Sequence, residues 1–157
     1  MPAYPELYCL LVPLEGMKII LPREVVIEVI SRGLLTPSEQ GPSWLIGWRN
    51  WNDTPIPVIS LEAFAGFKHA PPGPKSRLVV VQALSGVLEP AQFALMTLGY
   101  PYLLRTTDSI LRPHEDHSTP KGFMCRLHLG GEQPLIPDFD VIEAELSAWC
   151  PALPERA

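Results

Sequence analysis

The stretch IGWRNWNDTPIPVISLEAF, from Ile46 to Phe64, has the pattern of two strands joined by a polar tip and followed by the start of a helix. Around it, Trp44, Trp48 and Trp51 lie within eight residues of one another and beside Arg49. Tryptophan and arginine dominate protein-binding hot spots, but large aromatic side chains also fill hydrophobic cores. From the sequence alone, both roles stay open for these three tryptophans.

Segments with strand composition recur on both sides of this stretch. The turn-prone pairs Glu15-Gly16 and Ser85-Gly86 separate ELYCLLVPL from MKIIL and RLVVVQAL from AQFALMTL, which predicts two hairpins. Further along, GFMCRLHL alternates apolar and polar residues, and a double glycine then turns the chain back into QPLIP. Because the chain contains 19 prolines, few long helices can form, and we expect an all-β fold.

Helical signals are few and short. PREVVIEVI begins with a proline and is rich in Val and Ile, so we predict one or two helical turns that run into a strand. Four apolar residues from Phe139 to Trp149 follow one helical stripe, which predicts a helix over 138–149 that packs on the sheets, with Trp149 in the core. Asp140 and Glu143 have the spacing of a capping box at its start.

The proline-rich segment GFKHAPPGPKSR, residues 66–77, divides the chain nearly in half. Each half ends in a similar phrase, NDTPIPVISLEAF in the first and GEQPLIPDFDVIEAEL in the second. Both phrases contain a polar turn, a proline, an apolar strand and the start of a helix, which indicates an internal duplication. We therefore predict one domain, 1–157, built from two β-lobes at about 6–65 and 78–150, without a parallel sheet.

Composition limits the partners that this chain can have. The 157 residues carry a formal net charge of −5, so nucleic acid is an unfavourable partner and protein surfaces are favoured. The longest uncharged run, Pro90 to Leu104, is shorter than the roughly 20 residues that cross a bilayer, and no secretory signal begins the chain. We expect a cytoplasmic protein that does not insert into membranes and that keeps Cys9, Cys125 and Cys150 as free thiols.

No catalytic constellation is assembled in the sequence. HEDH, His114 to His117, groups two imidazoles with two carboxylates and could hold zinc, but it lacks an HExxH pattern and fits a charged surface loop equally well. Cys125 lies on the apolar face of its predicted strand, where a thiol stays protonated and inert. We expect no enzyme activity, no metal and no cofactor. A generic β-rich interaction module and a small metal-dependent enzyme remain as alternatives.

LIGWRNWNDTPIPVISLEAF resembles the signature of CheW-like domains. The matching positions are Gly47, Asn50, Thr54, Pro57, Val58, Ile59 and Leu61. YCLLVPLEGMKIILPREVVIEVI is similar to the family's opening hairpin and to its helix that carries a glutamate, here Glu28. In the second half, RLVVVQAL, SILRP, KGF and PLIPDFDVI follow in the family's order, so the resemblance covers residues 6 to 148.

The resemblance implies both a fold and a role. The fold would be two SH3-like five-stranded barrels with short helices, packed around a shared hydrophobic core. The role would be a scaffold that couples the signalling tips of chemoreceptors to a CheA-type histidine kinase and holds the receptor helix in a groove between the lobes. On this basis we predict a protein-binding site formed by Val26, Glu28, Ile30, Arg49, Asn50, Trp51 and Asn52.

Two departures from the family pattern affect the predicted site and pathway. Asn52 and Asp53 stand where the family usually has arginine and glycine, and FALMTLGYPYLL replaces a valine-rich strand of the second lobe. These changes favour a pilus-linked or otherwise alternative chemosensory system. Strand alternation places Asn50 and Asn52 on one face and Arg49 on the other. We therefore predict that Glu28, lacking a cation from within the chain, is either solvated or reserved for a basic group of the receptor.

Overall fold

The computed structural model describes residues 6–68, 71–107, 112–113, 119–129 and 131–150. Within these residues the chain forms twelve strands, two α-helices and one 3-10 turn. The strands are β1 Glu6–Leu14, β2 Met17–Pro22, β3 Val26–Ser31, β4 Leu35–Pro37, β5 Leu45–Trp51, β6 Thr54–Ile59, β7 Arg77–Gln82, β8 Gln92–Met96, β9 Tyr102–Thr107, β10 Arg112–Pro113, β11 Phe123–His128 and β12 Leu135–Pro137. The helices are α1 Leu61–Phe64 and α2 Phe139–Ser147, and the 3-10 turn is Arg23–Val25.

The two predicted hairpins are confirmed. β1 and β2 pair antiparallel across the Glu15-Gly16 turn, and β7 and β8 pair antiparallel on either side of the loop that contains Ser85-Gly86. β11 and β12 also pair antiparallel, as the alternation and the following glycines predict. The all-β fold class is therefore confirmed.

The strands form two sheets of six strands each. The first sheet has the order β10-β11-β12-β2-β1-β9, and the second has the order β3-β7-β8-β6-β5-β4. The sequence analysis expected five strands in each lobe, and the additional members include the very short β4 and β10. A two- or three-residue strand is too short to show an alternating pattern in the sequence, so pairing alone reveals it.

Each sheet draws strands from both halves of the chain. β1 and β2 join the strands of the second half, while β7 and β8 join those of the first half. Membership of the sheets therefore does not follow the predicted lobe segments 6–65 and 78–150. Corresponding strands of the two halves occupy corresponding places in the two sheets, which is the arrangement expected of a duplicated unit that exchanges its first hairpin.

Because the first hairpin of each half joins the sheet of the other half, each sheet contains one parallel strand pair. β12 lies parallel to β2 through Leu135 and Ile19, and β6 lies parallel to β8 through Val58 with Ala94 and Ile59 with Leu95. Neither sheet is parallel as a whole, in agreement with the expectation of no parallel sheet, although each contains one parallel pair that the sequence did not predict. Parallel neighbours need a long connection, and here the rest of each half provides it.

The largest hydrophobic cluster lies between the sheets and is shared by them. It includes Ile19 and Leu21 of β2, Val79 and Val81 of β7, Leu61 and Phe64 of α1, and Ile142 and Leu146 of α2. The strands of each sheet also form a smaller hydrophobic cluster of their own. It contains Leu11 and Ile20 in the first sheet and Val58 and Val80 in the second. Trp44 and Trp48 are buried in the shared core, so for these two tryptophans the core role is confirmed.

Helix α2 confirms the predicted helix, which ends two residues before the predicted range 138–149 does. It spans Phe139–Ser147, and the carboxylate of Asp138 accepts a hydrogen bond from the Val141 amide at 3.4 Å as the N-cap. The predicted capping box of Asp140 and Glu143 is therefore wrong, because the helix begins two residues before the pattern places it. Trp149, just past the helix, packs half-buried against the shared core.

A buried glutamate on each helix fixes the turn of a hairpin. In α1, Oε2 of Glu62 accepts a hydrogen bond at 3.1 Å from the amide of Glu15, at the β1–β2 turn. In α2, Glu143 is fully buried and accepts hydrogen bonds from the amides of Leu84 and Ser85, after β7, and from the Ser85 hydroxyl. The two halves thus repeat a contact as well as a sequence phrase.

The segment PREVVIEVI contains less helix than the family resemblance implies. A 3-10 turn, Arg23–Val25, leads directly into strand β3, as the Val and Ile content predicts. Glu28 therefore lies on a strand, and the prediction that a helix carries it is wrong. All three cysteines are free, with Cys9 and Cys150 buried and Cys125 half-buried.

No helix in the described part of the chain is long and apolar enough to cross a membrane. His114 to His117 lie outside the described residues. Among the residues that are described, no three His, Cys, Asp or Glu side chains are grouped as a metal ion would require.

Candidate protein-binding site

Strand β3 forms one edge of the second sheet, because it pairs only with β7. An irregularity between Val26 and Glu28 shifts the register, and Glu28 then lies opposite Val80. Since directly opposed residues share a face of an antiparallel pair, the Glu28 side chain is on the face that encloses the core of the second sheet. Glu28 is nevertheless exposed, because it lies at the sheet edge.

The tip of the β5–β6 hairpin is a two-residue turn formed by Asn52 and Asp53. Their φ angles are 47° and 62°, so both residues occupy the left-handed region that type I′ hairpin turns require. Asn and Asp adopt this conformation more readily than most residues, which explains the polar tip in the sequence. Asn52 has left the strand, so the prediction that it shares a strand face with Asn50 is wrong.

The indole of Trp51 is the hydrogen-bond partner of Glu28 within the chain. Nε1 of Trp51 donates to Oε2 of Glu28 at 3.0 Å, and the Trp51 ring packs against the core of the second sheet together with Ile30. β3 is the first and β5 the fifth strand in the order of this sheet, so the bond joins strands that are not neighbours. From the sequence, water, a cation or a partner protein was expected for Glu28, and an indole donor at the end of the hairpin strand was missed.

Arg49 does not pair with Glu28. Its Nε donates to the backbone oxygen of Arg32 at 3.0 Å, and its Nη1 donates to the backbone oxygen of Asn50. A Cβ atom at Gly33 would lie 2.7 Å from Nε of Arg49, so only glycine lets the guanidinium settle against this loop. The prediction that Arg49 is a poor partner for Glu28 therefore agrees with the geometry. The reason differs, because hydrogen bonds to backbone oxygens, and not the strand face, keep the guanidinium away from Glu28.

The remaining predicted residues do not lie together at one site. Val26 packs against the shared core and Ile30 against the core of the second sheet, so both serve folding more than contact. Asn50 is exposed but projects from the face of β5 opposite Trp51. Sequence reasoning missed Ile27 and Val29, which flank Glu28 and are 42% and 41% exposed. We define the Glu28 surface as Ile27, Glu28, Val29 and Trp51.

The missed residues had a signal in the sequence. A run of apolar residues around a single glutamate, VVIEVI, on an edge strand must leave some of its apolar side chains in solvent. Exposed aliphatic side chains beside one carboxylate suit a partner that brings both apolar contact and a basic group.

Comparisons with known proteins agree on the fold and the family. The family model for the CheW-like domain matches residues 8–142. Protein FrzA of Myxococcus xanthus is 35% identical over 75 residues, which are 48% of this chain and 46% of FrzA, so the aligned part spans about half of that relative. The crystal structure of the scaffolding protein TtCheW from Thermoanaerobacter tengcongensis superimposes with a TM-score of 0.72 at 17% identity.

The structural match covers 88% of this chain and 86% of TtCheW. At this low identity it establishes the fold, and it agrees with the two-sheet arrangement around a shared core. The family match extends from β1 into α2 and thus includes strands from both sheets. Because it spans most of the sequence, the chain belongs to the CheW-like domain family.

Proposed function

We propose that this protein is a non-enzymatic adaptor of the cytoplasm that couples chemoreceptor signalling tips to a CheA-type histidine kinase, in a chemotaxis or pilus-linked chemosensory pathway. The observation that carries the proposal is the CheW-like match over residues 8–142. The similarity to FrzA and to the scaffolding protein TtCheW supports an adaptor role over the two alternatives that the sequence left open.

The Glu28 surface is the part of the molecule that we assign to the receptor. One carboxylate oxygen of Glu28 accepts the Trp51 N–H, and within the described residues the other oxygen accepts no hydrogen bond. Arg49, the nearest cation in sequence to Trp51, is engaged with backbone oxygens. The carboxylate is therefore oriented, exposed and available to a lysine or arginine of the receptor tip. Val29 follows Glu28 in a continuous register and lies on the other face of β3, so Val29 and the exposed Ile27 offer apolar contact around the sheet edge.

The test compares Glu28→Lys with Glu28→Gln in binding to a receptor tip from the same organism. Reversal of the charge should weaken binding by about 2 kcal/mol or more, since a like charge then faces the partner's basic group, and the Gln variant should lose less. Glu39→Lys, on an exposed loop, is the matched control. Isothermal titration gives the affinities, and circular dichroism checks folding. Unchanged affinity in folded Glu28→Lys would refute the assignment of this surface.

A second test addresses the absence of catalysis. Purified protein should neither hydrolyse ATP nor transfer phosphate, alone or with added Mg²⁺. Radiolabelled ATP measures ATP hydrolysis and phosphate transfer, and a kinase without this protein serves as the positive control. Phosphate incorporated into this chain without any kinase present would contradict the adaptor proposal.

A further inference from the structure

Four large apolar side chains are exposed where the chain enters β9. They are Leu98, Tyr100, Tyr102 and Leu103, and Leu103 is 57% exposed. Single exposed apolar side chains are ordinary on a protein surface, but four within six consecutive residues form a patch that calls for a partner. We name these four residues the β9 edge surface. They belong to the segment FALMTLGYPYLL, which departs from the family pattern.

β9 is also the last described strand of the first sheet. It pairs with β1 in a continuous register without a bulge, and with no other described strand. Over Tyr102–Leu104, no described residue other than those of β1 makes a backbone hydrogen bond to this strand. An apolar edge of this kind can accept an additional strand, and Tyr102–Leu104 contain no bulge and no lysine, which are common protective devices of sheet edges.

The patch is held in place before any partner arrives. Nη2 of Arg77 donates to the Tyr100 hydroxyl at 2.9 Å, and the guanidinium carbon lies 4.4 Å from the centre of the Tyr100 ring. The amide of Leu98 donates to the backbone oxygen of Pro13 at 3.0 Å. Because these contacts fix the connection between β8 and β9, its tyrosine and leucine side chains are presented to solvent instead of collapsing onto the sheet.

Cations border the patch in a chain that is acidic as a whole. Arg77 contacts Tyr100, and Lys18 lies close enough to Tyr102 that its pKa is raised, first by its hydrogen bond to Glu132 and to a smaller degree by the Tyr102 hydroxyl. Lys18 is ion-paired with Glu132, so Arg77, which pairs with no carboxylate among the described residues, is the available cation of this surface in a chain of formal net charge −5. It favours an acidic partner, whereas pairing of two copies through β9 would bring like charges together.

We propose that the β9 edge surface binds an extended, acidic segment of a partner protein, which adds as a strand along Tyr102–Leu104. Backbone hydrogen bonds to the edge supply affinity, and alternate side chains of the segment pack on Leu103 and Tyr100. Acidic side chains of the segment meet Arg77. The edge strand lies on the first sheet, whereas Arg77 belongs to β7 of the second sheet, where it is opposite Ser31 of β3. The inference does not depend on the proposed coupling function.

The experiment uses the full chain and three fluorescent eight-residue peptides that alternate valine and threonine. One peptide carries two aspartates, the second carries two lysines in their place, and the third is the acidic peptide with a central proline. Fluorescence anisotropy gives the affinities. The acidic peptide should bind at least about tenfold more tightly than the basic one, and the proline, which removes a ladder N–H, should abolish binding.

Variants locate the binding on the chain. Leu103→Glu should weaken binding of the acidic peptide by about tenfold or more, and Arg77→Gln should weaken it and reduce its salt dependence. The matched control is Leu34→Glu, the same substitution at a leucine that is 93% exposed on another surface. Tyr100→Ser, outside the strand, replaces Leu103→Glu if circular dichroism shows that the latter does not fold.

Three results would overturn the proposal. The first is equal affinity for the acidic and basic peptides. The second is a folded Leu103→Glu or Tyr100→Ser variant that binds the acidic peptide as the Leu34→Glu control does. The third is sedimentation that shows a dimer of the unmodified chain which Leu103→Glu dissociates, because a second copy would then be the occupant of this edge.

Discussion

At the scale of single residues, the Trp51–Glu28 hydrogen bond orients the candidate site. The indole N–H is a neutral donor and no described cation pairs with Glu28, so the carboxylate keeps its charge while its direction is fixed. The bond also joins the first and fifth strands of the second sheet's order, which are not neighbours. One contact therefore serves both stability and the orientation of the candidate site.

Trp51→Phe tests this contact because it retains an aromatic ring and removes the donor. We expect a loss of about 1 kcal/mol in the free energy of unfolding, the typical net worth of one hydrogen bond, measured by urea denaturation. In a double-mutant cycle with Glu28→Ala, which removes the acceptor, the two losses should be less than additive. Strict additivity of the two substitutions would mean that the bond contributes nothing to stability.

The buried thiols give a second prediction at this scale. Burial raises the pKa of Cys9, with a further contribution from Glu24, and burial raises the pKa of Cys150. Unfolded thiols ionise near pH 8.5, so below that pH the contribution of these groups is complete, and stability falls as the pH rises through the folded pKa values. Denaturation between pH 7 and 10 measures this, with Cys9→Ala and Cys150→Ala together as control. The double variant should lose part of the alkaline decline; an identical decline would contradict the prediction.

At the scale of secondary-structure elements, the sequence predicted hairpins and the second helix because short-range patterns determine them. Alternation, turn residues and a helical stripe are all visible within about ten residues. The family resemblance failed at β3, because it implied a helix around Glu28, whereas the local Val and Ile content correctly predicted the strand that forms. The capping pattern failed at the start of α2, because Asp138, which caps the helix, lacks a matching glutamate three residues later.

Glu143 is the strongest test at the scale of elements, because it ties α2 to the loop after β7. Its carboxylate is fully buried and meets the amides of Leu84 and Ser85 at 3.0 and 2.9 Å. Glu143→Ala would remove the acceptor of these partly buried hydrogen bonds, which should cost about 1–3 kcal/mol. Glu145→Ala, in the same helix but partly exposed, is the control and should cost less than about 1 kcal/mol. Equal losses measured by thermal denaturation would show that the buried contact has no special role.

At the scale of the whole molecule, the exchange of hairpins between the halves was beyond prediction from the sequence. The repeat was visible, but nothing local indicates that β2 pairs with β12 or that β8 pairs with β6. Those pairings join residues far apart in sequence and follow from burial of the shared core. The candidate site was predicted only in part, because it too depends on contacts between residues far apart in sequence. Glu28 and Trp51 were both identified, but their contact depends on how the second sheet closes.

The exchange predicts that the halves cannot fold separately. A fragment of residues 1–68 lacks β7 and β8 of the second sheet and would expose half of the shared core. We expect this fragment and residues 71–157 each to be unfolded by circular dichroism and by the dispersion of their NMR spectra. The intact chain should unfold in one cooperative transition. A well-dispersed spectrum from either fragment alone would contradict this account of the fold.

The proposed function requires that the protein transmit the state of a receptor to a kinase. Reconstitution of a receptor tip fragment with a CheA-type kinase from the same organism, with kinase autophosphorylation as the measurement, tests this requirement. We expect the receptor to change autophosphorylation only when this protein is present, and we expect Glu28→Lys to remove the effect while Glu39→Lys retains it. Receptor control of the kinase that is the same with and without the protein would refute the proposed function.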